Sequence, residues 1–215
     1  MSKTELERRH AKRKVVTDDI SLTGFDRQGE NYPLWRDSMC MNPETEKPYR
    51  IAYTSRVLDK RVRINGETKV RFKASINAGA GILSAMLVDY GSLCRYTTEQ
   101  RIIREKGVVW GRSTEAKDLV YFVREKQPSA YRVITRGCMS AKNRTNLYSI
   151  DEVKPNTEYT FEFEMVAMDY TLEIGHQLGL IIYGADAEVT QRPLKAREIT
   201  VDENSIQIEI PVVME

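Results

Sequence analysis

Hydrophobic and polar residues alternate strictly in one segment of the C-terminal half of the chain. From Tyr159 to Met165, every second residue is aromatic or apolar, and the positions between carry threonine or glutamate. This period of two predicts a β-strand with one face on a core and the other in water. Residues 178–183 are apolar on both faces, which predicts a central strand of a sandwich. The connection between them, residues 168–177, has Gly175 just before the second strand.

The same patterns recur along the chain and predict about eight or nine strands. Residues 69–76 alternate in the same way, and Asn65-Gly66 before them is typical of a type I′ turn, so we expect a hairpin with residues 61–64. Residues 136–148 are expected to form a long loop. The remaining predicted strands are residues 82–90, 108–110, 119–123, 131–135 and 205–213. With little helix predicted after residue 14, this pattern indicates an all-β sandwich or barrel.

The N-terminal part of the chain has a different character. Residues 1–14 are polar and charged, and we expect a short polar helix or a disordered leader there. Residues 15–48 contain several glycines and prolines, which predicts an irregular connector packed on the sandwich through Tyr32, Leu34 and Trp35. The expected domains are therefore an extension or linker over residues 1–47 and a β-sandwich over residues 48–215.

Composition and charge narrow the function classes. Hydrophobic residues make up 41% of the chain and charged residues 30%, which fits a globular protein. The 33 basic residues nearly balance the 31 acidic residues, so we expect no binding to nucleic acid or to an anionic membrane. No apolar run approaches the length of about 18–20 residues that a membrane helix needs. The three cysteines are few and far apart, which favours a reducing, cytoplasmic location.

The chain lacks the sequence signs of nucleophilic catalysis. A serine hydrolase of the α/β type needs a Gly-x-Ser-x-Gly elbow, and the nearest approach, residues 90–94 (YGSLC), has no second glycine. The only histidines are His10, in the polar leader, and His176, which we expect to fix a connection by hydrogen bonds. Nothing in the sequence brings Cys94 or Cys138 close to a histidine. We therefore expect no catalytic residues in this chain.

No cofactor or metal site is expected either. The sequence has no C-x-x-C, no H-x-x-x-H and no glycine-rich phosphate loop. A structural Ca²⁺ at the rim of the sandwich is a minor alternative. Its candidate ligands would be Asp89, Asp169, Asp186 and Glu188. The two tryptophans, Trp35 and Trp110, are expected in the core rather than on a sugar-binding platform.

Several strings of the sequence resemble a known family. The string MDYTLEIGHQLGLIIYGADAEVTQRP, residues 168–193, is similar to the C-terminal domain of the X-prolyl dipeptidyl-peptidases, bacterial serine peptidases related to cocaine esterase. The strings YRIAYTSRVLDKRVRINGETKVRFKASI, GILSAMLVDYG and YRVITRGCMSAKNRTNLYS resemble other segments of that domain in the same order. The resemblance extends over about residues 48–213 and implies a jelly-roll β-sandwich like the galactose-binding modules.

The resemblance also implies a role. The parent enzyme would release X-Pro dipeptides from peptide N-termini, and its α/β-hydrolase domain would carry the catalytic residues. This chain would be inactive alone and would pack on that domain of the same polypeptide, with a homodimer of the full enzyme as a further expectation. The alternative is a stand-alone sandwich that binds carbohydrate or a partner protein. Exposed apolar surface would favour the first hypothesis, and a concave rim with exposed aromatic residues would favour the second.

Overall fold

The computed structural model describes residues 13–18, 32–96, 101–104, 118–121, 124–191 and 193–213. The chain divides into two compact units, one formed by Met1–Tyr90 with Tyr131–Glu215 and the other by Gly91–Ala130. Strands dominate the described residues, and no helix among them is long and apolar enough to cross a membrane.

The elements of the described residues are as follows. The strands are β1 Arg13–Asp18, β2 Arg50–Thr54, β3 Val62–Gly66, β4 Lys69–Ile76, β5 Ile82–Leu93, β6 Arg101–Arg104, β7 Asp118–Tyr121, β8 Ser129–Ser140, β9 Glu158–Glu164, β10 Met168–Leu172, β11 Gln177–Tyr183, β12 Arg197–Glu209 and β13 Val212–Val213. The helices are α1, Tyr32–Cys40, and a single 3-10 turn over Ala141–Asn143.

Two four-stranded sheets enclose the main core. The first sheet has the order β1-β12-β4-β9, and the second has the order β2-β11-β5-β8. Phe72 of β4 and Phe161 of β9 are fully buried in this core with their ring centroids 6.2 Å apart, and Leu83 and Leu87 of β5 join them from the second sheet. The all-β sandwich expected from the sequence is confirmed, while the jelly-roll connectivity and the likeness to galactose-binding modules stay predictions.

The strict alternation in β9 and β4 has the predicted consequence. Phe161, Phe163 and Met165 are buried, and the residues between them are exposed. On β4 the alternate apolar residues from Val70 to Ile76 are likewise buried. Because side chains point to opposite faces at each step of a strand, one face of each strand supplies the core and the other faces water.

The second sheet is covered on both faces, as the apolar runs in β5 and β11 predict. Met86 and Val88 of β5, with Ile181 and Tyr183 of β11, form a second apolar cluster on the face opposite the main core. Helix α1 packs on this face through apolar side chains that are buried. These side chains are Trp35, Met39 and Cys40. Trp35 therefore lies in the core as predicted, whereas Trp110 lies outside the described residues.

The N-terminal part is more regular than predicted where it is described. Arg13 and Lys14, expected in a leader, begin strand β1, which pairs with β12, and residues 1–12 lie outside the described residues. The expected irregular connector contains α1, whose terminal carbonyl groups are bonded by the buried guanidinium of Arg50. This side chain donates to the carbonyls of Met39, Met41 and Asn42. It therefore satisfies groups that a helix end leaves open. The boundary at residue 48 stays a prediction.

The predicted hairpin around Asn65-Gly66 is wrong. Strand β3 pairs with β10 and β13 in a small three-stranded sheet, and β4 belongs to the first sheet. Gly66 does have a positive φ of 128°, but the backbone there turns the chain out of one sheet and into another. The amide of Asn65 donates to the carbonyl of Pro211 at 2.9 Å instead of closing a two-residue turn.

Several strand boundaries also differ from the expectation. Strand β8 continues through residues 136–140, which were expected in a loop, and β12 begins at Arg197 rather than at residue 205. The connection 168–177 contains strand β10. The predicted strand at 108–110 lies outside the described residues. Val212, near the end of the strand predicted over residues 205–213, is exposed and lies in β13 of the small sheet.

Candidate functional site

A buried polar cluster joins Asp89, His176 and Tyr170. Asp89 lies on β5, Tyr170 on β10, and His176 on the turn before β11. The Nδ1 atom of His176 is 2.7 Å from Oδ1 of Asp89, and the Tyr170 hydroxyl donates to Oδ2 of the same carboxylate at 2.8 Å. The backbone of His176 is fixed as well, because its carbonyl accepts from the amide of Leu58 at 2.8 Å. The hydrogen-bonding role predicted for His176 is therefore present.

The histidine and aspartate of this cluster share one feature with a catalytic triad, but the nucleophile is missing. In a triad the second ring nitrogen of the histidine is bonded to a serine or cysteine. Within the described part of the chain, no hydroxyl or thiol is hydrogen-bonded to His176, which is buried along with Asp89. Ser92, in the nearest approach to an elbow, continues strand β5 rather than forming a strand–turn–helix corner. The arrangement can fasten the small sheet to the second sheet, since it bonds β10 to β5.

A second cluster is ionic and partly buried, and it centres on Asp186 and Glu188. The guanidinium of Arg136 lies 3.2 Å from Asp186 and 2.6 Å from Glu188. Arg36 of α1 donates to the other oxygen of Glu188 at 2.6 Å. The Tyr183 hydroxyl donates to Asp186 at 2.6 Å. The cluster therefore joins α1, β8 and the segment after β11.

The ionic cluster changes the acidity of its members. Burial would lower the pKa of Arg136, but the Asp186 and Glu188 carboxylates outweigh it and raise that pKa above its usual value. Burial, and then the charge of Asp186, raise the pKa of Tyr183 well above that of a free tyrosine. Two carboxylates face two guanidiniums, so the net charge of the cluster is zero. We interpret this cluster as a structural fastening, since each acid is already paired with a base.

The four carboxylates considered for a Ca²⁺ site are not brought together. Asp89 is bonded to His176, and Asp169 is paired with Arg63 on the exposed face of the small sheet. Only Asp186 and Glu188 are neighbours, and arginine side chains occupy the positions where a cation would bind. Over the described residues, no group of three or more histidine, cysteine, aspartate or glutamate side chains has the arrangement of a metal site.

The cysteine thiols are not in activating surroundings. Cys40 is fully buried against the sulfur of Met86, and burial raises the pKa of its thiol to about 12. Partial desolvation and the charge of Asp186 raise the pKa of the Cys138 thiol. A reactive cysteine needs the opposite shift, because the thiolate is the nucleophile. Cys94 belongs to the unit Gly91–Ala130, where its thiol lies 3.8 Å from the carbonyl of Lys126.

Among the residues that the structure describes, two open cavities of the first unit stand out, and polar and charged residues together make up most of the lining of each. A cavity of about 450 Å³ is lined by Arg71, Lys73 and Asp202 on the outer face of the first sheet. A second cavity, of about 690 Å³, is lined by residues 13–15, 43–48 and 50–54. Tyr53 and Phe72 are the aromatic residues among these linings, and Phe72 is fully buried in the core. Neither cavity is the concave rim with exposed aromatic residues that a sugar-binding module would need.

Sequence reasoning missed an exposed apolar group on the loop after β8. Leu147, Tyr148 and Ile150 have relative exposures of 78%, 97% and 82%. They lie between the polar residues Thr145 and Asp151. Leu147 and Tyr148 fall in the loop predicted over residues 136–148, and Ile150 follows it. The sequence did contain a sign of this exposure, because large apolar residues in a loop without alternation have no strand face that would bury them.

Comparison with known proteins decides the family. A family model described as the X-Pro dipeptidyl-peptidase C-terminal non-catalytic domain matches residues 4–212. The chain belongs to this family of non-catalytic domains. The match runs over both the sandwich and most of the N-terminal part, so residues before 48 belong to the matched region as well.

Relatives of this non-catalytic domain are found in much longer proteins. The chain is 26% identical over 197 residues to the Xaa-Pro dipeptidyl-peptidase of Ligilactobacillus salivarius, a match to 91% of this chain and 24% of that protein. It is 32% identical over 154 residues to the Xaa-Pro dipeptidyl-peptidase of Streptococcus sanguinis, covering 72% of this chain and 20% of the relative. The chain thus spans about a quarter of the length of the curated relatives it matches.

Solved structures share the fold at low sequence identity. An α-amino acid ester hydrolase superimposes on 96% of this chain with a TM-score of 0.59 and 12% identity, and the match is 33% of that chain. An aminopeptidase from a marine sediment Thaumarchaeota archaeon gives a TM-score of 0.58 at 10% identity, over 96% of this chain and 34% of its own. These matches support the sandwich architecture of the non-catalytic domain.

Proposed function

We propose that this chain is the non-catalytic C-terminal part of an X-Pro dipeptidyl-peptidase, a serine hydrolase that releases X-Pro dipeptides from peptide N-termini. The observation that carries the proposal is the family match over residues 4–212 to a domain that makes up about a quarter of each curated relative. The catalytic serine, histidine and aspartate would belong to an α/β-hydrolase domain of the same polypeptide, and this chain alone would be inactive.

The contribution of this domain would be structural. Its buried polar groups support this role, because the Asp89 and Asp186 carboxylates are bonded to neighbouring side chains rather than turned toward a cavity. The domain would pack on the hydrolase domain and hold it in place, and the full enzyme could form a homodimer. A cytoplasmic location, expected from the three widely spaced cysteines, is part of the same proposal.

The alternative of a stand-alone carbohydrate- or protein-binding sandwich has less support. A sugar platform needs exposed aromatic faces beside a concave surface. Trp35 is buried in the core, and polar and charged side chains together make up most of the lining of these two cavities. The exposed apolar loop with Leu147 and Tyr148 is the kind of surface that we expected of a domain removed from a larger protein.

The test of this proposal is the native size of the protein and the activity that accompanies it. An antibody against this chain is used to blot source cells and to capture the native protein. We expect a band far above the 24.8 kDa of this chain, and hydrolysis of a Gly-Pro chromogenic substrate in the captured fraction. This chain, purified alone, should show no hydrolysis. A native band at 24.8 kDa would overturn the proposal.

A further inference from the structure

The loop from Thr145 to Asp151 combines an exposed apolar tip with a fixed backbone. Leu147, Tyr148 and Ile150 direct large apolar side chains into solvent, with 78%, 97% and 82% of their surface exposed. In the part of the chain that the structure describes, no other stretch of four residues holds three such side chains. Such a concentration of exposed apolar groups is unfavourable in water and marks an interaction surface.

Hydrogen bonds hold the base of this loop closed. Both the amide and the hydroxyl of Thr145 donate to the carboxylate of Asp151, at 2.9 and 2.6 Å. The amide of Asp151 donates back to the carbonyl of Lys142 at 2.7 Å, and the side chain of Asn143 donates to the carbonyl of Ser149 at 3.0 Å. Thr145 and Asp151 are thus the two ends of a clasp made of local bonds, and five residues, 146–150, lie between them.

The clasp is anchored to the sandwich through Arg144. Its guanidinium lies 4.1 Å from the ring centroid of Tyr159 on β9 and donates to the carbonyl of Ala141 at 2.9 Å. Ala141 is itself fully buried in the main core. The backbone that carries the apolar tip is thus fixed before any partner arrives, and preorganisation of this kind lowers the entropy cost of binding.

We propose that the tip of this loop, formed by Leu147, Tyr148 and Ile150, inserts into an apolar recess of the hydrolase domain of the same polypeptide. This inference rests on the proposed function. We choose another part of the same polypeptide as the partner because about three-quarters of the length of the relatives lies outside the region that this chain matches. The tip carries no charged side chain from Asn146 to Ile150, so the recess must be apolar. Tyrosine at the centre of such a tip is typical of interface residues that dominate binding.

Hydroxyl-radical footprinting with mass spectrometry tests the proposal on two samples. One is this chain alone, and the other is the native polypeptide captured from cells. We expect the modification rates of Leu147, Tyr148 and Ile150 to fall on the order of tenfold in the native polypeptide, as for the buried core of an interface. Leu194 is the matched control, because it is 102% exposed and lies on another loop, and its rate should be equal in both samples.

A variant of the native polypeptide makes the test specific to the tip. Tyr148→Ser should return Leu147 and Ile150 toward the rates of the isolated chain, whereas Leu194→Ser should leave them protected. The isolated chain should unfold at the same denaturant concentration with and without Tyr148→Ser, because an exposed side chain contributes little to its stability.

The results separate the two proposals. A native mass of 24.8 kDa refutes the proposed function. A large native mass with equal modification of the tip and of Leu194 in both samples refutes only the docking of the loop. A purified chain that is dimeric in solution with a protected tip also overturns the inference, since a second copy would then be the occupant.

Discussion

The imidazole of His176 and the carboxylate of Asp89 are 87 residues apart in sequence and 2.7 Å apart in the fold, and both are buried. The same carboxylate accepts the hydroxyl of Tyr170, 81 residues away. One side chain therefore satisfies two buried polar groups from different segments. A carboxylate in this position connects the small sheet to the second sheet of the sandwich.

Replacement of Asp89 by leucine should destabilise the protein strongly. It removes the carboxylate that bonds the buried ring of His176 and the partly buried hydroxyl of Tyr170, which costs about 2–4 kcal/mol of the free energy of unfolding. Urea unfolding monitored by circular dichroism measures this loss. The control is Asp169→Leu, which removes an exposed carboxylate paired with Arg63 and should leave the midpoint nearly unchanged. Equal shifts for both variants would contradict a structural role for the cluster.

Gly137 is a position where a methyl group has no room. A Cβ there would lie 2.5 Å from the carbonyl oxygen of Glu164 and 3.0 Å from the Cα of Met165, both backbone atoms. Because β8 and the end of β9 must then separate, we expect Gly137→Ala to cost about 1–3 kcal/mol. A Cβ on Gly79 would meet its nearest neighbour at 3.6 Å, so Gly79→Ala should change stability by less than about 0.5 kcal/mol. Thermal unfolding measures the stability of both variants. Equal melting temperatures would refute the close approach of β8 to the end of β9 at Gly137.

Alkaline pH should destabilise the fold. Burial raises the pKa of the Cys40 thiol to about 12. It also raises the pKa values of Tyr90, Tyr131 and Tyr183 above that of a free tyrosine. The unfolded chain releases these protons from about pH 8.5 for cysteine and about pH 10 for tyrosine, while the folded chain keeps them. The unfolded state then binds fewer protons, so stability falls as the pH rises.

Denaturant unfolding at a series of pH values measures this fall. We expect little change in stability due to these groups below about pH 8, and a decline of up to about 1.4 kcal/mol per pH unit for each group above its unfolded pKa. Tyr131→Phe should make the decline shallower, because it removes one of the titrating groups. A stability that stays constant from pH 8 to about pH 11 would show that these groups are not desolvated in the fold.

The strands with a local pattern were predictable from sequence, and so was the family. The alternation over residues 69–76 and 159–165 reports burial of one face, and the apolar run in β5 reports burial of both. Successive side chains of a strand point to opposite faces, so burial of one face or of both produces a pattern in consecutive residues. The co-linear strings that resemble the peptidase domain are also local, and the family match confirms them.

Pairing partners and packing depended on residues distant in sequence. Strand β3 ends on the Asn65-Gly66 turn signal, yet it pairs with β10 and β13 instead of β4, and its Ile64 lies in the main core. Helix α1 carries no acidic residue in its first turn and no basic residue in its last. It is stabilised instead by the apolar face of the second sheet and by the guanidinium of Arg50, which donates to the carbonyl of Met39 in its last turn.

The candidate interface likewise combines features that the sequence predicts with features that only the packing of the sheets decides. The sequence by itself determined that the chain is an all-β member of a non-catalytic family, and it predicted the loop that holds Leu147 and Tyr148. Only the tertiary structure decided that Asp89, His176 and Tyr170 meet, and that Leu147, Tyr148 and Ile150 remain in solvent. Secondary structure and family follow from local order along the chain. Contact and exposure depend on which distant segments fill the space around each side chain, and that is fixed only when the sheets pack.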